Sequence, residues 1–274
     1  MRTRFAIFLI ITAFVRASFA GVTGQLPFEF RHGLIWVKLV SAGQSLNFVL
    51  DSGAGSTVLN IETARRLGLK LGDSQCVRAV QGTVASYKVV GFNADFDGIP
   101  IRADVLALDL SRASRVCGRR IDGLLGEDFF RGRIVQIDFA SKCLRLNEKP
   151  DPCCCTSLPL KFCNDAMLVP VSVDGSKARW TRLDTGCDTG LVWASGLSRA
   201  ANGARVSVGI SQANGTGNCC ATVQLGDERV SDVKMMLHGR EIFPGESGLL
   251  GNGVLSRYRV TIDAIGRHVF LAKL

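Results

Sequence analysis

The sequence predicts an all-β protein built as two similar lobes, related by a pseudo-twofold axis and facing each other across a cleft. Three observations lead there. The 274 residues are 47% hydrophobic and include 30 glycines, with no sustained heptad pattern, which is the composition of a turn-rich β protein. Two segments of the chain repeat: GLLGEDFFRGRIVQIDFASKCLRL at 123–146 and GLLGNGVLSRYRVTIDAIGRHVFL at 248–271 agree, without a gap, at 8 of 24 positions. Each copy lies downstream of a leucine that leads into Asp-Ser/Thr-Gly, FVLDSGAG at 48–55 and TRLDTGCD at 181–188. Asp51 lies 72 residues before Gly123, and Asp184 lies 64 before Gly248. An ordered pair of motifs repeated at matched spacing is an internal duplication.

The elements follow in order. Arg2 and Arg4, the apolar run FAIFLIITAFV and the small residues Ser18–Ala20 read as a signal peptide over 1–20, with the mature chain beginning at Gly21. Eleven apolar residues are short for a bilayer span; the alternative is an uncleaved anchor. Export places the protein outside the cytoplasm, secreted or periplasmic, with no membrane span after cleavage. The first lobe is expected over 21–150 and the second over 160–274, joined by a Cys/Pro-rich linker at 151–159. In the first lobe, 34–40 and 46–50 read as a strand pair around SAGQ, and 61–68 as a short helix with Asn60 as N-cap and Gly68 as stop. Further strands are expected at 76–80, 83–92, 99–108 and 133–138, and in the second lobe at 168–173, 179–183, 205–210, 221–225, 230–237 and 257–263.

Charge and cysteine usage narrow the function classes. The formal charge of +9 falls to +6 once Arg2, Arg4 and Arg16 leave with the signal peptide. No Lys/Arg run is long enough for a nucleic-acid patch. Ten cysteines in an exported chain point to disulfides; a zinc site is the alternative, but CxxC pairs are absent. NADFDGIPIRAD at 93–104 mimics a calcium loop but is flanked by strand patterns, so Asp97-Gly98 reads as a β-turn. His32, His238 and His268 have no metalloprotease or nucleophile-elbow context.

One Asp-Gly loop alone reads equally well as a helix cap or an Asx-turn. Two matched loops in duplicated lobes can face each other, so that Asp51 and Asp184 share one site. Two carboxylates in contact cannot both ionise cheaply, and one proton is then shared between them. The ionised member can act as general base on a water, while the protonated member polarises a carbonyl and later protonates a leaving amine. Ser52 and Thr185 supply hydroxyls that can bond across to the opposite loop. Gly53 and Gly186 allow close backbone approach, with amides aimed at the carboxylates. Such chemistry needs no metal and no cofactor.

These residues carry a family resemblance. LDSGAG with ETARRLGL (62–69), IDGLLGEDFFRGRIVQID (121–138), LDTGC and GLLGNGVLSRYRVTID together resemble the bacterial and retroviral-type aspartyl proteases, once per lobe. The resemblance implies retropepsin-like β-barrel lobes with the active site in the cleft between them. It implies catalytic roles for Asp51 and Asp184, with Ser52, Gly53, Thr185 and Gly186 positioning the loops. It also implies an extended peptide or unfolded protein as substrate. Because one chain carries both halves, as in the pepsin-like enzymes, a monomer is expected. The family closes a β-hairpin flap over its substrate; here the flap is expected at 77–90, with Gly82 near its tip, and in the second lobe near 209–221. The second loop departs from the first, with Cys187 and Asp188 in place of Ala54 and Gly55. Asp188 adds an acid close to the pair, and Cys187 is a candidate for a bridge to Cys219 or Cys220. The reading is an exported aspartic endopeptidase; its rival is a non-catalytic peptide-binding or inhibitor-like protein on the same fold.

Overall fold

The computed structural model describes residues 25–80, 82–101, 105–146, 155–163, 165–194, 204–208, 211–215 and 217–274. The expected signal peptide and residues 151–154 of the expected linker lie outside the described residues. The chain is mostly β-strand, and its strands fall into two lobes and a shared sheet.

In the first lobe, strands Leu34–Ser41 and Gln44–Leu50 pair antiparallel through a tight turn at Ala42 and Gly43, both at positive φ. Leu46, Phe48 and Leu50 of the second strand are fully buried in the main core, while Val49 faces a smaller cluster with Trp36, Val58 and Ile121. Both faces of this strand are therefore covered, which fits its near-continuous apolar run. The helix runs Ile61–Arg66. The Asn60 side chain accepts from the Glu62 amide, Arg65 and Arg66 sit in the last turn, and Gly68 at φ +69° turns the chain out. The hairpin expected as the flap is longer than 77–90: Lys70–Ala79 pairs with Gly82–Val90, and Gly82 opens the return strand at φ +121°. Val80, at the turn, packs against the second-lobe cluster of Cys187, Val192, Met236 and Leu249, so this hairpin reaches across the cleft. Asp97 and Gly98 form the turn between Ala94–Phe96 and Ile99–Ile101, as the strand pattern around them requires.

The second lobe repeats the plan. Its seven-stranded sheet closes on itself, because Ala166–Val173 pairs with Arg179–Leu183 on one side and with Gly217–Leu225 on the other. The second hairpin lies earlier than expected. Ala204–Val208 pairs with Ser211–Gly215, whereas the chain from Gly217 onward joins Glu228–His238 in the sheet.

The two repeats meet in a six-stranded sheet. Its order is Gln25–Pro27, Cys143–Leu146, Ile134–Asp138, Tyr258–Asp263, His268–Lys273 and Thr156–Pro159. The first three strands come from the first half of the chain and the last three, in mirror order, from the second. The central pair is antiparallel, with Ile137 opposite Val260. Antiparallel pairing of two equivalent strands places the approximate twofold between them, and the repeated Val-x-Ile-Asp segments are those strands.

The thiols of Cys76, Cys117, Cys143, Cys163, Cys219 and Cys220 are free. The expected bridge from Cys187 to Cys219 or Cys220 is therefore not formed.

Ile137 is fully buried at this seam. Ile137→Ala should destabilise the chain by about 2–5 kcal/mol and leave one cooperative transition in urea. Two separated transitions would show that the lobes unfold independently of their common sheet.

Candidate active site

Each Asp loop is held from behind by its own Gly-Leu-Leu-Gly strand. Gly123–Leu125 runs parallel to Gln44–Leu50 and antiparallel to Val58–Asn60. Gly248–Leu250 does the same between Arg179–Leu183 and Leu191–Ala194. The Asp51 amide donates to the Leu125 carbonyl and the Asp184 amide to the Leu250 carbonyl, each at 2.9 Å. The Glu127 amide bonds the Ala54 carbonyl and the Asn252 amide the Cys187 carbonyl, each at 2.8 Å. Gly126 and Gly251 fit because a side-chain carbon at either would lie within 2.4 Å of the loop backbone.

The two loops then lock to each other. The Ser52 hydroxyl donates to the Leu183 carbonyl at 2.8 Å and accepts from the Thr185 amide at 3.0 Å. The Thr185 hydroxyl donates to the Leu50 carbonyl at 2.8 Å and accepts from the Ser52 amide at 2.9 Å. All four bonds are buried, and Ser52 and Thr185 are both completely inaccessible. Each hydroxyl uses its donor and an acceptor across the twofold, so neither loop can shift without breaking bonds on both sides.

This lock brings Asp51 and Asp184 together. A β-carbon on Gly53 would lie 2.4 Å from the Asp184 carboxyl carbon, and one on Gly186 would lie 2.4 Å from that of Asp51. Each carboxylate thus rests on the glycine of the opposite loop, where no side chain fits. Their surroundings differ. Asp51 Oδ1 accepts from the Gly53 and Ala54 amides, both at 3.0 Å, and Asp184 Oδ1 accepts from the Gly186 amide at 2.9 Å. Burial pushes Asp184 well above the ordinary carboxylate range, and the facing Asp51 charge pushes it further. Burial also raises Asp51, but the Ala54 and Gly53 amides and a hydrogen bond from Asp184 hold it back. The two carboxyls therefore titrate as a unit that holds one proton more readily than an ordinary carboxylate, with the stronger upward push on Asp184.

The carboxylates lie in a cleft of about 910 Å³ bounded by the Lys70–Val90 hairpin, the Asp loops and the Phe243–Glu246 segment. Val77, Val84 and Tyr87 of that hairpin, with Ile61, Leu106 and Leu124, make the first-lobe side apolar. Asp188 does not face the pair. It packs on Gly33 of the first lobe, and its charge raises the Cys117 thiol after burial has done so. The charge that reaches both carboxylates is that of Arg182, which sequence reasoning passed over. The signal was present: a charged residue stands two places before Asp184, where the first lobe has Val49.

Comparison with known proteins agrees with this architecture. Residues 37–129 match the family described as aspartyl protease. The fold is similar to that of an aspartic proteinase from Irpex lacteus, with a TM-score of 0.56 over 91% of this chain and 97% of that one, at 11% identity. Over residues 37–129 the chain is similar to the aspartyl protease family, and its two-lobed fold is that of an aspartic proteinase. No match is found among curated proteins.

Thr185→Val should leave the Ser52 amide without its acceptor and the Leu50 carbonyl without its donor, costing about 1–3 kcal/mol in urea denaturation. Thr185→Ser, which keeps the hydroxyl, should recover most of the loss.

Proposed function

We propose that this chain is an exported aspartic endopeptidase that hydrolyses peptide bonds with a water activated between Asp51 and Asp184. The observation that carries the proposal is the pair of facing carboxylates in the cleft, each seated on the other loop's glycine, with unequal surroundings. Ionised Asp51 would take a proton from a water held between the two, while protonated Asp184 would donate to the scissile carbonyl oxygen. The tetrahedral intermediate would collapse as a carboxyl proton passes to the leaving amine, restoring the starting state with no metal or cofactor. The flap would exclude water and supply backbone hydrogen bonds to an extended peptide. Val77, Val84, Ile61, Leu106 and Leu124 favour an apolar substrate side chain on the first-lobe side.

The test is cleavage of a denatured, fluorescently labelled protein by the mature chain from pH 3 to 7. Asp51→Asn and Asp184→Asn, made separately, should each lower turnover by about 10³-fold or more. Activity that survives in either variant, or a silent wild type, would overturn the reading.

The pH dependence has a definite sign. The rate should follow a bell, falling on the acid side as Asp51 protonates and on the basic side as the shared proton leaves. Because Asp184 is held well above the ordinary carboxylate range, the basic limb should lie above that range too. The folded state then holds a proton that the unfolded chain has already released, so stability falls as pH rises through that window. Asp184→Asn removes this penalty. In calorimetry its melting temperature should exceed that of wild type at pH 7, and the gain should vanish toward pH 3.

A further inference from the structure

The Arg182 side chain is almost completely buried beside the carboxylate pair. Its Nε and Nη2 donate to the two Glu246 carboxylate oxygens at 2.7 and 2.6 Å, and its Nη1 donates to the Gly53 carbonyl of the first lobe at 2.7 Å. The guanidinium lies 3.9 Å from the centre of the Phe243 ring. Each guanidinium nitrogen donates a hydrogen bond, and the contacts come from both lobes.

Stability does not explain the ion pair. A buried pair is seldom more stable than apolar residues of similar volume, and the first lobe shows the apolar solution at the same two places. Val49 stands where Arg182 stands, one residue before the leucine that precedes the aspartate, and Ile121 stands where Glu246 stands, two residues before the Gly-Leu-Leu-Gly. Val49 and Ile121 are fully buried in one apolar cluster. Val49 sits opposite Leu124 and Arg182 opposite Leu249, so the positions correspond in the sheets as well as in the chain. One lobe has an apolar pair and the other a salt bridge that reaches over to the opposite catalytic loop.

We propose that Arg182 is a positioning residue: clamped by Glu246 and Phe243, it grips the first Asp loop at the Gly53 carbonyl and keeps a fixed positive charge beside the pair. The proposal rests on the peptidase reading of Asp51 and Asp184 and adds an asymmetric control of their proton. Gly53 is the residue whose amide bonds Asp51 and on which Asp184 rests, so the grip acts one peptide group from the chemistry. The charge favours the ionised form of the pair and keeps one carboxylate available as a base at lower pH. Other charged groups lining the cleft are Arg78 on the flap, Asp109 and Arg112 at the first-lobe wall and Asp165 of the second lobe. Glu246 is the acid in direct contact with Arg182 and partly neutralises its field.

The test compares wild type, Arg182→Met, Arg182→Lys and Glu246→Gln by the pH profile of kcat/KM and by NMR titration of the pair in protein carrying ¹³C-labelled aspartate carboxyls. Arg182→Met should move both limbs, and both NMR steps, to higher pH by about one unit, with kcat/KM at the acid end reduced about tenfold. Glu246→Gln, nearly isosteric, unmasks the cation and should move them to lower pH. Arg182→Lys keeps the charge but not the fork, so its profile should stay near that of wild type while kcat falls. Loss of packing alone would lower activity without shifting the profiles in opposite directions. Profiles unmoved in both Arg182→Met and Glu246→Gln would overturn the proposal. Should Arg182→Met fail to fold, the direction of the Glu246→Gln shift decides. Should wild type cleave nothing, the peptidase reading falls, and the NMR titrations still decide whether Arg182 governs the proton of the pair.

Discussion

The crossed exchange of hydroxyl bonds between Ser52 and Thr185 is the constraint on which the site depends. Two carboxylates repel when ionised and lose hydration when buried, so nothing in their own chemistry brings them together. The four hydrogen bonds between the loops supply what the acids cannot. They also explain the identity of the neighbouring residues. A hydroxyl both donates and accepts, as this geometry demands, and only glycine leaves room for the opposing carboxylate. The Gly-Leu-Leu-Gly strands and the six-stranded sheet hold the loops at the distance where this exchange closes.

Around that lock the molecule is symmetric in backbone and asymmetric in charge. Main-chain hydrogen bonds behind each loop match one for one. The Gly53 and Ala54 amides at Asp51 Oδ1, the Gly186 amide at Asp184 Oδ1 and the Arg182 cation do not. Identical carboxylates thereby acquire different proton affinities, which acid–base catalysis by a pair requires.

Much of this was legible in the sequence where the signal was local or repeated. Asn60 and Gly68 mark a helix because capping and left-handed backbone are properties of a few adjacent residues. Strand Arg179–Leu183 was expected with its observed bounds. The duplication exposed the Asp loops because two weak motifs in matched order are far less accidental than one. Other features left little local trace. Helix Ser111–Val116 has the apolar Leu110 at its N-cap, and the acid that accepts from the Ser111 amide, Asp109, stands one place earlier, so the usual N-cap signal is displaced. The strand Gly123–Leu125 has only three residues, too few for a period to register. The ten cysteines suggested bridges by count and compartment, but pairing depends on geometry, and Cys219 and Cys220 are free. The Arg182–Glu246 pair joins residues 64 apart in the chain and is visible only once the lobes are laid over one another.

The common sheet, three strands from each half, is the kind of seam along which two separate copies of one half could also associate. In such a homodimer every residue occurs twice: a cation two places before one aspartate would stand before the other as well, and each change in one half would be echoed in its mate. Joining the halves in one polypeptide removes that obligation. Each lobe becomes free to drift under its own selection, and a single strand can acquire an arginine while its twin keeps a valine. The covalent connection thus gives the protein a freedom of descent that symmetry would have denied it.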